Sequence, residues 1–567
     1  MKHRLMAIVI LGLFLASGIQ STSAVTLQKD SRNSNIMKIN ENDQWTIMVY
    51  MAADNNIESF ADFDLNAMKQ AGSNDEVDII ALYDGTQNGD SKLYRILRSN
   101  HEVLNDSGEV IPGSNEVNMG NPNTLTNFID WTVTNYPASH YCLILMGHGK
   151  FPKGQTQVSY MGFYKICRDD RSLDFLDVSG GELKQALNNV AGDINFDIIG
   201  FDGCLMGMLE VAYEVKDFAD YMIAPEDHQY AFGYDSLGRI VIDDYGWDYS
   251  WLRTLVQNPS SYSSNVESLC KLIVDDYDDD DICGEASLSA IDLSKAGSLA
   301  SEVSSLGNYI LSKESEYVYE IRYAKKAAKV YGNYGPESGE YVKLFVDLYT
   351  FAEELERLVT DDSTIDSYAN NIVNKVSQMV IADNNENDRS KGIAIYFADP
   401  GSGQGNNGDY RDFTFSDNTK WDDLINWMHS TYDSMYANFN AHKPNPPVVN
   451  GDSTAKIDEE FEITFSSNDP DDNKLCYEII WNLEYPNGWV GPLGSGEQGA
   501  SSHIYGKDDV GFEFDIIVRA YDCWDMFSTA THFTIKVSKA RPKAFEFMPQ
   551  LLLEHFPRLL EIINLFR

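Results

Sequence analysis

The segment FDIIGFDGC, Phe196–Cys204, is a short apolar run that ends in a glycine and a cysteine. Phe196, Ile198, Ile199 and Phe201 give it the length and composition of a buried strand, broken by Gly200 and stopped by Gly203. The residues that follow, LMGMLEVAYEV, set Leu205, Met208, Leu209 and Ala212 at helical spacing. Cys204 is therefore expected where a buried strand turns into a helix. The free N–H groups of a helix N-terminus would stabilise a thiolate there.

An earlier stretch, YCLILMGHGK, has the same layout: it is apolar from Tyr141 to Met146 and ends in Gly147, His148 and Gly149. Two such runs, paired as parallel strands, bring His148 and Cys204 to one edge of a sheet. That edge is where open α/β sheets bind their ligands. A lone cysteine after a strand is most often core, and a histidine between glycines is often only a turn residue. The paired placement is what points to a cysteine–histidine dyad.

Outward from these two runs, strand and helix patterns alternate between Gln44 and about Tyr432. WTIMVYMAA (Trp45–Ala53) and VDIIALYDG (Val77–Gly85) read as strands, and IESFADFDLNAMKQAG between them as a helix stopped by Gly72. Leu125–Asn135 and Glu182–Val190 are helical and lead into the His148 and Cys204 strands. Tyr221–Ala224, Ser287–Ser294 and Gly392–Ala398 are further strand candidates, and about three helical patterns, including YVKLFVDLYTFAEELERL, separate the last two. Alternation of this kind predicts an α/β fold, a mostly parallel sheet flanked by helices on both faces.

The rest of the chain supplies context. Lys2, His3 and Arg4, an apolar run from Leu5 to about Ile19, and Thr22-Ser23-Ala24 read as a signal peptide over 1–24, so a secreted or cell-surface protein is expected. No later stretch is long and apolar enough for a membrane-spanning helix. The α/β domain spans 44–435. Beyond the Pro444–Pro447 linker, EEFEITFSS, KLCYEIIWNL, FEFDIIVRAYD and ATHFTIKV predict an immunoglobulin/PKD-like β-sandwich over 446–538. An apolar helical tail over 545–567 is expected to dock on the protein in preference to a membrane surface.

The net charge of −44 excludes nucleic-acid binding as the main activity and favours basic substrates. Seven cysteines are too few for a disulfide scaffold, and the odd number leaves at least one thiol free, with Cys204 the candidate. Cys476 and Cys523 are candidates to pair. No C-x-x-C or H-E-x-x-H spacing occurs, so no protein metal ligands are assigned and no cofactor is needed for the chemistry. Calcium is a candidate ion at the acidic runs Asp275–Glu285 and Asp383–Asp388, or at the NDPDDNK turn (468–474), although none has the spacing of a known calcium loop. Such runs are usually solvated surface.

WTIMVYMAADNNIE, LILMGHGK, FDGCLMGMLEVAYE and the distant GIAIYF resemble, in this order, the clostripain family of cysteine endopeptidases over about Trp45–Tyr432. The resemblance implies a caspase-like fold, catalytic roles for His148 and Cys204, and an oxyanion hole formed by the N–H groups of Gly149 and Cys204. It also matches Asp202 to an acidic residue that helps hold a basic P1 side chain. Residues two apart on a strand share a face, so Asp202 is expected on the side of Cys204. A further acidic specificity region falls on APEDHQYAFGYDS, which departs from the family pattern; Glu226 and Asp227 are its candidates. The implied activity is hydrolysis of protein or peptide substrates after Arg or Lys. Some relatives depend on calcium, and some cut themselves, which predicts a cut after Lys165, Arg168 or Arg171 in the segment Lys150–Asp174. The rival from another class is an exported adhesion or binding protein with an inactive caspase-like domain. A second rival keeps the chemistry and prefers asparagine or aspartate.

Overall fold

Every residue of Trp45–Ala52 is both apolar or small and buried, as a strand covered on both faces requires. The computed structural model describes residues 44–538 apart from 105–114, 150–163, 191–193, 230–232, 235–239, 242–245, 248, 278–286, 314–315, 335–340, 385–388, 399–408, 437–441, 482–487, 508 and 523–525. The expected signal peptide, the C-terminal tail and most of both acidic runs lie outside the described residues.

In chain order the first part runs through β1 (Trp45–Ala52), α1 (Glu58–Ala71), β2 (Val77–Asp84), β3 (Lys92–Leu97), β4 (Asn100–Val103), α2 (Pro122–Asn135), β5 (His140–Met146), β6 (Lys165–Asp169), β7 (Asp174–Asp177), α3 (Glu182–Val190), β8 (Phe196–Asp202), α4 (Leu209–Val215) and β9 (Ala219–Ala224). Gly72 ends α1 as its sequence predicts, donating its N–H to Met68 O at 2.9 Å. Asn121 caps α2 through its side chain, with Pro122 in the first turn.

The main sheet is mixed. Its order is Val380–Asp383, Ser289–Asp292, β9, β8, β5, β1, β2, β3, β4. The five central strands are parallel, and both flanks are antiparallel. The expectation of a mostly parallel sheet therefore holds for the centre, where helices cross over between strands. At the β3–β4 edge a two-residue turn replaces the crossover helix, which only antiparallel strands permit. β6 and β7 form a separate antiparallel hairpin.

Two expectations change. Gly392–Ala398 does contain a strand, Ala394–Tyr396, but it joins Tyr341–Asp347 and Val330–Tyr334 in a second, three-stranded sheet. YVKLFVDLYTFAEELERL is helical only from Leu348, because Asp347 caps a helix by accepting Thr350 N at 2.7 Å. The β-branched and aromatic residues upstream of that cap form the strand.

The C-terminal segments pack as two sheets, one of three strands and one of five. Phe461, Ile463 and Phe465 from the first meet Tyr477, Ile479, Val518 and Ile535 from the second in one core. Tyr323 of the α/β domain donates its hydroxyl to Lys474 O at 2.8 Å, beside Cys476. Cys476 is a free buried thiol, so the expected pairing is not made; Cys523 lies outside the described residues.

Candidate active site

Register brings the two sequence motifs together. Met146 of β5 is opposite Asp202 of β8, and Gly147 N donates to Asp202 O at 3.0 Å. His148 and Cys204 thus leave adjacent strands two residues beyond the same register pair. A β-carbon on Gly149 would stand 2.1 Å from Cys204 O and 2.8 Å from Cys204 N. The backbones of the two motifs are in contact, and only glycine permits that approach.

The surroundings of Cys204 differ from those expected. α4 begins at Leu209, five residues on, so its dipole, which acts within the first turn, does not reach the sulfur. A loop intervenes, with Leu205 in the left-handed region at φ 59°. The segment after β9 holds this loop: Leu205 N donates to Asp227 O at 3.0 Å, and Gly207 N to Pro225 O at 2.6 Å. Cys204 is 6% exposed, and its Sγ accepts Gln229 N at 3.3 Å and lies 3.7 Å from Gln229 O. The donor facing the sulfur is thus the backbone N–H of Gln229 and not a helix terminus.

His148 is partly exposed. Its Nε2 lies 3.0 Å from Oδ1 of Asn56, a residue just beyond β1. The carbonyl oxygen of Asn56 is an acceptor, which puts the proton of the neutral ring on Nε2 and makes Nδ1 its basic nitrogen. Burial, and secondarily the charge of Arg168, pull the imidazole down to about 4, so it is neutral at physiological pH. Asn56, His148, Cys204 and Gln229 follow β1, β5, β8 and β9, four neighbouring parallel strands, at their carboxyl ends.

Asp202 is wholly buried. Its Oδ1 accepts Trp247 N at 3.2 Å and its Oδ2 accepts the Tyr249 hydroxyl at 3.0 Å. Gly246, at φ 83°, makes that turn, and a β-carbon there would meet Asp202 Oδ1 at 2.2 Å. Burial pushes the Asp202 carboxyl up to about 7, partly offset by these two donors. Asp227 is next to the Cys204 loop, but its Oδ1 is occupied by His228 N at 2.8 Å and the His228 ring at 2.9 Å. Glu226 points elsewhere: its Oε2 accepts Gly392 N at 3.0 Å and the Tyr331 hydroxyl at 3.2 Å, tying the second sheet to the site.

The three expected cut points are in folded structure. Lys165 and Arg168 belong to β6, Lys165 pairs with Asp177 at 3.2 Å, and Arg171 pairs with Glu116 at 2.7 Å. Lys165 and Arg168 are held in the paired backbone of β6, whereas the cut expected after Arg171 falls in the exposed turn formed with Ser172 and Leu173. Lys150 and Lys153 lie outside the described residues. In the NDPDDNK turn, Asp469 Oδ1 takes the N–H groups of Asp471 (2.9 Å) and Asn473 (3.2 Å), which closes the turn.

Sequence reasoning missed Asn56, Gln229, Trp247 and Tyr249. Asn56 was open to the strand-end argument that found His148, since ADNN follows the first apolar run directly. Trp247 and Tyr249 carry no such signal, because a long excursion after β9 returns them to the sheet.

A family model described as the clostripain family matches residues 49–427. Clostripain of Hathewaya histolytica is 27% identical over 483 residues, covering 76% of this chain and 88% of that protein. Among solved structures, an inactive zymogen C11 protease from Parabacteroides distasonis is 17% identical and covers 67% of this chain and 99% of its own, with a TM-score of 0.47. A secreted C11 cysteine protease from Bacteroides thetaiotaomicron, in complex with an irreversible peptide inhibitor, is 18% identical and covers 68% and 99%, with a TM-score of 0.45.

Proposed function

The chain belongs to the clostripain family and is a cysteine endopeptidase, and from that premise we propose that Cys204 is its nucleophile, His148 its acid–base group, and Arg or Lys its preferred P1 residue. The observation that carries the dyad is the backbone contact of Gly149 with Cys204 at the ends of adjacent parallel strands.

In the first half-reaction Cys204 Sγ attacks the scissile carbonyl carbon, and its proton passes to Nδ1 of His148. The carbonyl oxygen becomes an oxyanion that accepts hydrogen bonds from the N–H groups of Gly149 and Cys204. The C–N bond then breaks, and the imidazolium gives its proton to the leaving amine. An imidazole held down near 4 is a weak base and a strong acid, suited to that protonation. Water, deprotonated by the same ring, attacks the thioester in the second half-reaction and returns Cys204 as thiol.

Asp202 supports the basic P1 preference. Among the described residues its buried carboxyl has no cationic hydrogen-bond partner, and an arriving guanidinium would supply charge-assisted bonds that favour its ionised form. Asp227 is retained as a secondary contact on its position behind the Cys204 loop. Export is proposed on the Met1–Ala24 segment, with the mature chain beginning after Ala24.

Cys204→Ala tests the nucleophile. Peptide cleavage should fall to background, while the circular dichroism spectrum and melting temperature stay close to wild type. Cleavage at normal rate by the folded variant would overturn the assignment. Mapping cuts in a peptide library with wild type tests the specificity; a predominance of cuts after leucine, asparagine or aspartate would reject the basic P1.

A further inference from the structure

We propose that Glu210 is a positioning residue for Cys204, bracing the loop that follows the cysteine against the second sheet; this rests on the nucleophile assignment made above. Glu210 lies in the first turn of α4, directly after that loop, and its side chain is fully buried. A buried carboxyl is costly unless hydrogen bonds hold it. Here Oε1 accepts Tyr396 N at 2.9 Å and the Tyr410 hydroxyl at 3.0 Å. Neither donor belongs to the main sheet. Tyr396 ends the strand Ala394–Tyr396 of the second sheet, and Tyr410 lies in the helical turn Asp409–Asp412.

The bond to Tyr396 is one of a series along a single stretch of chain. Every second N–H from Gly392 to Tyr396 is accepted by the surroundings of Cys204: Gly392 N by Glu226 Oε2 at 3.0 Å, Ala394 N by Gly207 O at 2.9 Å, and Tyr396 N by Glu210 Oε1. Met208 and Ala394 form a parallel bridge. The edge of this strand therefore meets a neighbour that is backbone only in the middle. Two buried carboxyls stand in above and below for the acceptors that a longer neighbouring strand would present.

The geometry asks for an acceptor at this position and not for a charge. Among the described residues Oε2 has no hydrogen-bond partner, so one oxygen carries both contacts. Burial pushes the carboxyl up to about 7, partly offset by its donors, which brings the neutral form within reach. The donors themselves are held by packing. The rings of Tyr396 and Tyr410 stack with centroids 5.0 Å apart, and Tyr164, just before β6, meets Phe413 edge-on at 4.4 Å and Tyr396 at 6.3 Å.

The brace has a short route to the sulfur. Leu205–Met208 is a loop with no regular structure of its own to hold it, and Leu205 is in the left-handed region. The segment after β9 fixes it from one side, through Leu205 N and Gly207 N. Glu210 and the Ala394 bridge fix it from the other. Loss of the Glu210 acceptor frees the end of the loop where α4 begins, and Cys204, at its start, loses its fixed relation to Gly149. Misplacement of a reacting group by about 1 Å costs on the order of 100-fold in rate.

Glu210→Ala and Glu210→Gln in the full-length protein test this, read by kcat, KM and the rate of Cys204 alkylation by iodoacetamide, with Cys204→Ala as the blank for other thiols. In Glu210→Ala kcat should fall by about 10- to 100-fold, KM should change by less than about twofold, and alkylation should slow by about threefold or more. Glu210→Gln, which keeps the acceptor, should restore kcat to within about threefold of wild type. Tyr410→Phe is the second variant, should Glu210→Ala not fold; it removes one donor and should lower kcat by about two- to fivefold. Wild-type kcat and alkylation in folded Glu210→Ala, or wild-type kcat in Tyr410→Phe, would overturn the proposal, as would a loss in Glu210→Gln equal to that in Glu210→Ala. Cleavage by folded Cys204→Ala would overturn the nucleophile assignment along with it, and so tells the two failures apart.

Discussion

Nε2 of His148 stands 3.0 Å from Oδ1 of Asn56, although the two residues are 92 positions apart in the chain. The contact fixes which ring nitrogen carries the proton, so Asn56 is a positioning residue for the proposed base. Asn56→Ala should lower kcat by about 10- to 100-fold, within the range of general acid–base contributions, and leave KM nearly unchanged. Asn56→Asp sets a carboxylate against the ring and should move the acid limb of the pH–rate profile upward. Unaltered kcat in Asn56→Ala would dismiss the positioning role.

Gly149 gives a steric prediction. In Gly149→Ala the new β-carbon meets Cys204 O at 2.1 Å and Cys204 N at 2.8 Å, and neither backbone atom can rotate away. Activity should fall at least a hundredfold, and stability by about 1–3 kcal/mol, the usual cost of overpacking. Steady-state kinetics with chemical denaturation would check both. A fully active variant would mean the two backbones separate freely.

Asp202 and His148 predict separable limbs in the pH profile of kcat/KM. With a basic P1 substrate the limiting group is Asp202, raised to about 7, so kcat/KM should climb as pH passes from 6 to 8. Asp202→Asn should abolish that limb and most of the arginine-over-leucine preference. Its residual activity should fall only near pH 4, where His148 protonates. Identical profiles for the two proteins would rule out Asp202 as the titrating group.

The same shift has a stability consequence of defined sign. The folded-state pKa of Asp202 lies above the ordinary aspartate value of 3.8, so the folded protein holds a proton that the unfolded chain releases. This group is least unfavourable below pH 4, and stability is lost as pH rises from about 4 to about 7. Asp202→Asn should gain on wild type over that window. The depressed pKa of His148 acts oppositely and cancels in the comparison. Denaturation midpoints at pH 4.5 and 7.5 would reveal the crossing; a constant difference would count against it.

The parallel centre of the fold was legible because its strands carry continuous apolar runs such as Ile79–Leu82, Leu143–Met146 and Ile198–Ile199, each followed by glycine, aspartate or a polar turn. β3, next to the edge strand, buries only Leu93 and Ile96 among half-buried residues, and so irregular and short a pattern does not stand out from a loop. His148 and Cys204 were legible because strand ends converge by topology. The helix start at Leu205 was misread because Leu205, Met206 and Met208 are buried and apolar in a loop, and burial of such a loop imitates the periodicity of a helix. The Asp202 partners Trp247 and Tyr249 arise from a chain return with no local signature, so only the folded structure reveals them.

The proposed reaction centre draws its members from the ends of four strands and from Trp247 and Tyr249, which reach Asp202 across 45 and 47 positions. Contacts so distant in sequence carry a loop-closure cost that must be met before they form, and they delay folding. A nascent or partly folded chain that lacks any of these segments holds Cys204 without its neighbours. On the roles proposed for these residues, a chain gains the ability to cut only once its most distant contacts have closed.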